Sequence, residues 1–328
     1  MAQVSRYCLG IDFGGTNTKF CLLDSKLMPV EIYQLRTPSS KDDIISQMVC
    51  GAQKLVTDHG LQAGELLGVG IGSPGPLDLE NGIILATPNI PGMEDVPIRD
   101  AVSEGLNLPA VLDNDANAAA YGEYIYGAGK GARSMVLLTL GTGLGSGIIV
   151  DGKVLHGAHN IGAELGHTVV EPAGELCGCG QRGCLERYCS ATYIAHRARR
   201  MVKDEGRGGL LAATLGQTGS ITTKEIVEAV LAKDELAEEV WDRGAYYIAI
   251  GCVNVCRIFD PDRILLAGGM TKAGDHLLVP VSKHFAALHW SLTDIMTEIG
   301  IAALGSDAGV IGAAGLAWAA FGPDRTGR

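Results

Sequence analysis

Apolar residues along this chain fall into two rhythms, short buried runs that end at glycine and longer stretches with helical spacing. Tyr7-Cys8-Leu9-Gly10-Ile11-Asp12 reads as a strand, Thr18 to Asp24 as its partner, and Phe13-Gly14-Gly15-Thr16-Asn17 as the link between them. The arrangement returns at Ser134 to Leu140, then Gly141-Thr142-Gly143-Leu144-Gly145, then Ser146 to Asp151. Two copies of strand, glycine-rich turn and strand predict a duplicated α/β unit. Between them, Lys41 to His59 has helical periodicity, with Ile44, Ile45, Met48, Val49, Ala52 and Val56 on one side. Leu67 to Gly72 is a buried strand ending in Ser73-Pro74-Gly75-Pro76, and Ala110 to Asp113 is a strand feeding a helix over Ala116 to Tyr126. Later helices are predicted over Glu186 to Asp204, Thr223 to Ala232 and Leu236 to Ile258. The strand Arg263 to Ala267 then stops at Gly268-Gly269, and a last helix, Ala308 to Phe321, carries small residues that permit close packing. The pattern predicts two α/β domains. One is formed by residues 1–115 with the returning C-terminal helix (about 306–328), the other by 116–305.

Composition narrows the class. A chain of 328 residues is long enough for two cores. The balance of 26 basic against 37 acidic residues, a net charge of −11, argues against a broad nucleic-acid footprint. No apolar run reaches the ~20 residues of a membrane span, and no basic, then apolar leader opens the chain. Cys8, Cys21, Cys50, Cys252 and Cys256 sit in apolar strand or helix patterns and are expected to be buried free thiols, as is Cys189. Such cysteine usage suits a reducing cytoplasm rather than a disulfide framework.

Three other cysteines stand apart. Cys177, Cys179 and Cys184 lie in a segment of Gly, Gln and Arg, preceded by Glu164-Leu165-Gly166-His167. Three thiols and one imidazole have the type and number of a closed tetrahedral zinc site. A segment with so little apolar material would gain nothing by burying three cysteines as structural hydrophobes. Glu164 and Glu186 flank a set that is already full, so their carboxylates are left to face a substrate.

The glycine turns expose backbone N–H groups that can bind phosphate oxygens. Each of the first two precedes a strand rather than a helix, which excludes the P-loop and the dinucleotide fingerprint. The first, with Gly14 and Gly15, adds Asp12 as a carboxylate for hydrated Mg2+, Thr16 as a hydroxyl and Lys19 as a cation. Gly141, Thr142 and Gly143 form the second, and Gly268-Gly269 could let a nucleoside approach the backbone.

Asp12 to Lys19, Leu112-Asp113-Asn114-Asp115-Ala116-Asn117-Ala118, Glu164 to His167 and Cys177 to Glu186 together resemble the ROK family (repressors, open reading frames, sugar kinases), and within it the bacterial glucokinases. The resemblance runs from about residue 7 to about residue 320. It implies an actin-like, ribonuclease-H-like fold of two domains that close on ATP and a hexose, and a homodimer or homotetramer. It also implies a sugar pocket of Asn89, Asn114, Asp115, Glu164, His167 and Glu186, with Gly75 supplying backbone.

Asp115 falls where a strand hands over to a helix, a position that favours an ionised carboxylate able to accept a hydroxyl proton. A plain helix cap is the bland alternative. His167 would place one ring nitrogen on zinc and turn the other toward the sugar, while His156, His159 and His196 read as surface or packing residues. The expected reaction is in-line transfer of the γ-phosphoryl of Mg-ATP to the 6-hydroxyl of glucose, with Asp115 as the base. N-acetylmannosamine, N-acetylglucosamine and fructose are alternative acceptors, polyphosphate an alternative donor, and a sugar-responsive repressor the distant alternative. Selection among hexoses is expected to depend on the loop from Pro76 to Asp95.

Overall fold

The first hairpin becomes the centre of a five-stranded sheet. Strands β1 (Tyr7–Phe13), β2 (Asn17–Asp24), β3 (Pro29–Arg36) and β4 (Leu66–Ser73) are followed in sequence by a short pair, β5 (Leu77–Asp78) and β6 (Ile83–Ile84), and by β7 (Ala110–Asn114). The sheet order is β3-β2-β1-β4-β7. β2 is antiparallel to both β1 and β3, whereas β1, β4 and β7 run parallel. Register aligns Asp12 with Gly72 and Gly72 with Asp113, so the chain leaves all three parallel strands at one edge. The computed structural model describes residues 6–87, 90, 92–290 and 292–323.

Side chains on β2 alternate in direction, as a pleated strand requires. Phe20 and Leu22 join Leu9, Ile11, Val69 and Ile71 in one apolar cluster, and Cys21 and Leu23 join Val310, Ile311 and Ala314 in another. Helix α1 (Lys41–Asp58) contributes Ile44, Met48, Ala52 and Leu55 to the first, the face that its periodicity predicted. Its start is capped by Ser40, whose hydroxyl accepts from the Asp43 N–H at 3.3 Å. Helix α2 (Ile98–Leu106) adds Ile98 and Val102.

The opposite face is covered by the last helix, α10 (Ala308–Phe321), which also packs on α3 (Asp115–Ile125). Here backbone meets backbone. A Cβ on Gly10 would overlap the Val310 carbonyl oxygen, one on Gly70 the Ala313 oxygen, and one on Gly312 the Ala118 oxygen. Glycine is the residue that admits such an approach. Buried Glu123 on α3 secures the segment entering α10 by accepting the N–H groups of Ala303 at 3.1 Å and Leu304 at 2.7 Å.

A second five-stranded sheet repeats the plan. Strands β8 (Met135–Leu140), β9 (Leu144–Val150), β10 (Lys153–Val154), β11 (Arg263–Ala267) and β12 (Glu298–Ile301) stand in the order β10-β9-β8-β11-β12, with β8, β11 and β12 parallel. The duplication expected from the hairpins therefore extends to whole sheets. The intervening helices are α4 (Glu186–Cys189), α5 (Ala191–Lys203), α6 (Leu210–Thr218), α7 (Thr223–Leu231), α8 (Glu235–Phe259) and α9 (Asp275–Leu288). No helix of the described residues is long and apolar enough to cross a membrane.

Several expectations need correction. The helix predicted over Glu186 to Asp204 breaks at Ser190, which is extended (φ −73°, ψ 156°). The break lets the Ala191 N–H donate to the Gly141 carbonyl at 2.9 Å, tying α5 to the second glycine turn. Cys50 is exposed rather than buried, whereas Cys8, Cys21, Cys189, Cys252 and Cys256 are buried free thiols as expected. One compact unit takes in the chain to Gly131, residues 147–162 and everything from Ala303 on; the other takes 132–146 and 163–302. The division thus falls after α3 rather than at residue 115, because α3 packs on α10. Of the tail assigned to the first domain, residues 324–328 lie outside the described residues.

Gly70→Ala should destabilise the fold by about 1–3 kcal/mol in chemical denaturation, since the Ala313 backbone cannot yield locally. Gly216→Ala, within α6 and with open space at its Cβ, should instead stabilise by up to about 1 kcal/mol.

Candidate active site and metal centre

In the first unit, candidate residues gather at the carboxyl ends of parallel strands, where open α/β sheets commonly bind ligands. Asp12 is the penultimate residue of β1, Gly75 lies in the turn after β4, and Asn114 and Asp115 link β7 to α3. The carboxyl of Asp12 is pushed up to about 7, first by burial and then by the negative charge of Asp115, with Lys19 opposing. A Cβ on Gly309 would touch Asp12, so this carboxyl rests over the first turn of α10. A half-buried carboxylate that feels the charge of a second one is a common sign of a functional site.

The structure separates the roles of Asn114 and Asp115. Asn114 is the helix cap, with its side-chain oxygen accepting from the Ala116 N–H at 2.9 Å. Asp115 is the first helical residue and is exposed. Gly75 lies close by, since a Cβ there would stand 3.8 Å from the Asn114 amide nitrogen. Asn89 lies outside the described residues.

Gly14, Gly15 and Thr16 form the tight turn between β1 and β2, closed by the Gly14 N–H to the Asn17 carbonyl at 3.1 Å. Thr37 braces the turn by donating its hydroxyl to the Gly14 carbonyl at 2.6 Å. Lys19 is engaged elsewhere than the sequence reading placed it. Its ammonium pairs with Asp307 at 2.6 Å and also donates to the Ser306 carbonyl, both at the entry to α10.

In the second unit, the turn Gly141-Thr142-Gly143 follows β8 and Gly268-Gly269 follows β11; these strands are parallel neighbours, so both turns occupy one sheet edge. Gly268 has φ +89°, and a Cβ there would strike the Leu140 carbonyl, so the close approach of the turns requires glycine. Glu186 at the start of α4 accepts the Leu144 N–H at 2.9 Å, which binds this carboxylate to the second glycine turn. Glu164 is exposed and immediately precedes the short turn of Leu165–His167.

His167, Cys177, Cys179 and Cys184 converge, with all ligand atoms within 4.8 Å of one another. His167 Nδ1 lies 3.7 Å from Cys177 Sγ, and Cys179 Sγ lies 3.6 Å from Cys184 Sγ. A tetrahedron with ~2.3 Å metal–sulfur bonds has edges of about 3.7 Å, so the residues fit zinc. The loop is shaped by the Cys177 N–H to the Gln181 carbonyl at 2.8 Å and by a left-handed Gly180. Burial raises the Cys184 thiol to about 12, and hydrogen bonds from Gln181 lower Cys179 to about 6. Thiols packed this closely need a cation to ionise together. The use of Nδ1 toward the thiols leaves His167 Nε2 for another partner.

Comparison with known proteins gives the family. Residues 8–320 match the model of the ROK family. The chain belongs to the ROK family. It is 39% identical to a glucokinase from Halalkalibacterium halodurans over 94% of this chain and 93% of that one. A ROK hexokinase from Thermus thermophilus superimposes with a TM-score of 0.80 at 31% identity, covering 94% of this chain and 96% of that one. A ROK family glucokinase from Streptomyces griseus, solved with glucose and AMPPNP, gives 0.74 at 33% identity over 94% and 98%. Repressors of the family match more distantly. The duplicated sheets are those of the two-domain actin-like ATPase fold.

One residue of this region was not legible in the sequence. His156, read as a packing histidine, bonds through Nε2 to buried Asp113 at 2.7 Å, two positions before Asp115. Asp113 also accepts from Asn117 Nδ2 at 2.9 Å and from the Asn114 N–H at 2.8 Å. The bond to Asp113 raises the His156 pKa above its ordinary value, outweighing partial burial. A raised folded pKa means that the pair stabilises fully below the unfolded value of about 6.5, and that its contribution fades as pH rises through the folded value. The stability advantage of the wild type over His156→Gln should therefore be largest in mildly acidic solution and shrink as pH rises above about 6.5, as read by urea denaturation at a series of pH values.

Proposed function

We propose that this chain is a glucokinase, transferring the γ-phosphoryl group of ATP to the 6-hydroxyl of glucose. The carrying observation is that relatives named glucokinase run nearly the full length of the chain, where the motif residues stand at the strand ends described above.

Asp115 accepts the hydroxyl proton. It is exposed at a helix N-terminus, where the helix dipole favours its ionised form, and Asn114 is left to cap the helix. Asn114, Glu164, His167 and Glu186, with Asn89 and the Gly75 backbone, hold the sugar hydroxyls through polar contacts at fixed angles. The backbone of Gly14, Gly15, Thr16, Gly141, Thr142 and Gly143 receives phosphate oxygens, and Gly268 and Gly269 admit the nucleoside. Asp12 would hold Mg2+, which supplies charge neutralisation to the phosphates when bound. Asp12 suits that task because its half-buried carboxyl otherwise feels the charge of Asp115. Lys19 acts by fixing Asp307 and the entry to α10, as its pairing indicates.

Zinc is assigned to His167, Cys177, Cys179 and Cys184 as a structural ion with no open coordination position. The family resemblance supports a homodimer or homotetramer, and the free thiols outside the zinc cluster, Cys8, Cys21, Cys50, Cys189, Cys252 and Cys256, support a cytoplasmic setting.

Two measurements test this reading. Elemental analysis should find one zinc per chain, and Cys179→Ser should lower metal content and thermal stability together, because site assembly is coupled to local folding. Protein purified without chelators and free of zinc would remove the metal assignment.

The second compares Asp115→Asn with wild type in a coupled assay over a panel of hexoses, beside calorimetric titration of glucose. Turnover should fall by at least ~10²-fold while glucose binding weakens far less. Near-normal turnover would eliminate Asp115 as the base. A hexose with kcat/KM clearly above that of glucose would change the acceptor and leave the kinase reading standing.

A further inference from the structure

A cleft of about 600 Å³ lies within the second unit, lined by the turn around Gly174 and by α4, α5 and α8. Five guanidinium groups face it, from Arg182, Arg187, Arg197, Arg200 and Arg243, against the two carboxylates of Glu171 and Glu175. Such a surplus of cations is conspicuous in a chain of net charge −11.

Both carboxylates are already engaged. Glu175 accepts from Arg200 at 2.9 Å and stands 3.7 Å from Arg187, and Glu171 accepts the Tyr247 hydroxyl at 2.8 Å. The remaining positive charge has no counterpart in the cleft. The Nε–H groups of Arg187 and Arg197 are buried and lack a hydrogen-bond partner. An unsatisfied buried donor on a charged group costs more than on a neutral one, so a structure keeps it where something else satisfies it. Burial and then the like charges of Arg243 and Arg200 lower the Arg197 pKa, outweighing the opposing charges of Glu239 and Glu205, neither of which lines the cleft.

The guanidinium groups are held in place for a ligand. Arg187 stacks on the Tyr193 ring at 3.5 Å, and Arg243 lies 5.3 Å from the Tyr247 ring centroid. Tyr247 in turn stacks on Tyr188 at 4.5 Å. Planar cations fixed in this way present forked donors to tetrahedral oxyanions, the geometry in which arginine recognises phosphate. The volume is that of a small-molecule site.

We propose that this cleft binds a phosphate-bearing small anion, either a phosphomonoester of the hexose 6-phosphate kind or free phosphate, at a site separate from the sugar and nucleotide residues assigned above. None of those residues lines the cleft. Arg187 directly follows Glu186, so an anion drawn to its guanidinium bears on the same short helix that presents Glu186 to the glycine turn. The binding site stands on its own chemistry; only a hexose phosphate as the ligand rests on the kinase reading.

The test uses the full-length, zinc-loaded protein under saturating glucose, which fills the acceptor position. Inorganic phosphate and glucose 6-phosphate are titrated separately by calorimetry and by thermal shift, with chloride at matched ionic strength as the control. At least one phosphate compound should bind with saturation and raise Tm, and chloride should not. Arg197→Gln and, independently, Arg200→Gln should each weaken that binding by roughly tenfold, as expected for loss of a charge-assisted contact. Arg197→Lys should recover only part of it, because a point charge lacks the fork. Zinc content and kcat at saturating substrates without added phosphate should stay at wild-type levels in all three variants. Tighter binding of glucose 6-phosphate than of phosphate would identify the monoester as ligand, and equal binding would identify the free phosphate group. Failure of both compounds to bind, or binding that both glutamine variants leave intact, would overturn the proposal.

Discussion

The direct contact between the α10 backbone and strands β1 and β4 positions much of the first unit. Gly10, Gly70 and Gly312 bring main chain against main chain, and no side chain could be inserted without moving the helix. Asp12 is the penultimate residue of β1 and lies over Gly309 in the first turn of α10, so its carboxyl is held by that same approach. Lys19 reaches across to Asp307 and Ser306 and ties the neighbouring strand to the helix entry. Buried Glu123 receives the two N–H groups that precede the helix. Close packing transmits a displacement of one methyl group rather than absorbing it, so the glycines of this contact bear on the placement of the Asp12 carboxyl.

The two units use one plan for different tasks. The two five-stranded sheets share one strand order and have glycine turns where parallel strands end, although residues 147–162, which carry most of β9 and all of β10, group with the first unit. In the first unit those ends carry acidic groups, Asp12 and Asp115, and in the second they carry glycine backbone at Gly141 to Gly143 and Gly268 to Gly269. Duplication supplied the scaffold. The residues at the strand ends then differ, carboxylates in one sheet and glycine backbone in the other.

The cysteine cluster is joined to the second glycine turn by a short path. Cys184 is followed at once by Leu185 and by Glu186, whose carboxylate holds the Leu144 N–H. His167 turns Nδ1 toward Cys177 and keeps its other nitrogen available. A metal at this centre would orient two side chains without taking part in the reaction, the role in which closed coordination is an advantage. Arg187, on the same short helix, lines the arginine cleft, so the cysteine cluster, Glu186 and the cleft meet along one turn of chain.

The sequence by itself determined whatever depends on neighbours along the chain. The gathering of His167 with the three cysteines was legible because spacing and glycine content leave few other uses for them, and the strand–turn–strand hairpins were legible because their periodicity is local. It did not determine which of two adjacent capping residues, Asn114 or Asp115, would close α3. Both have the chemistry, and only the extended backbone of Asn114 (φ −68°, ψ 147°) settled it. Helices α6 and α9 and the exposed strand β3 passed unrecognised because weak periodicity, Pro280 within α9 and an edge position obscure their patterns. The pairing of His156 with Asp113, of Lys19 with Asp307, and the gathering of arginines from α4, α5 and α8 were decided by tertiary structure. Charged partners far apart in sequence carry no periodic signal. They are chosen by which helix ends and strand edges the packed backbone brings within a few ångströms, and packing on that scale is a property of the whole fold.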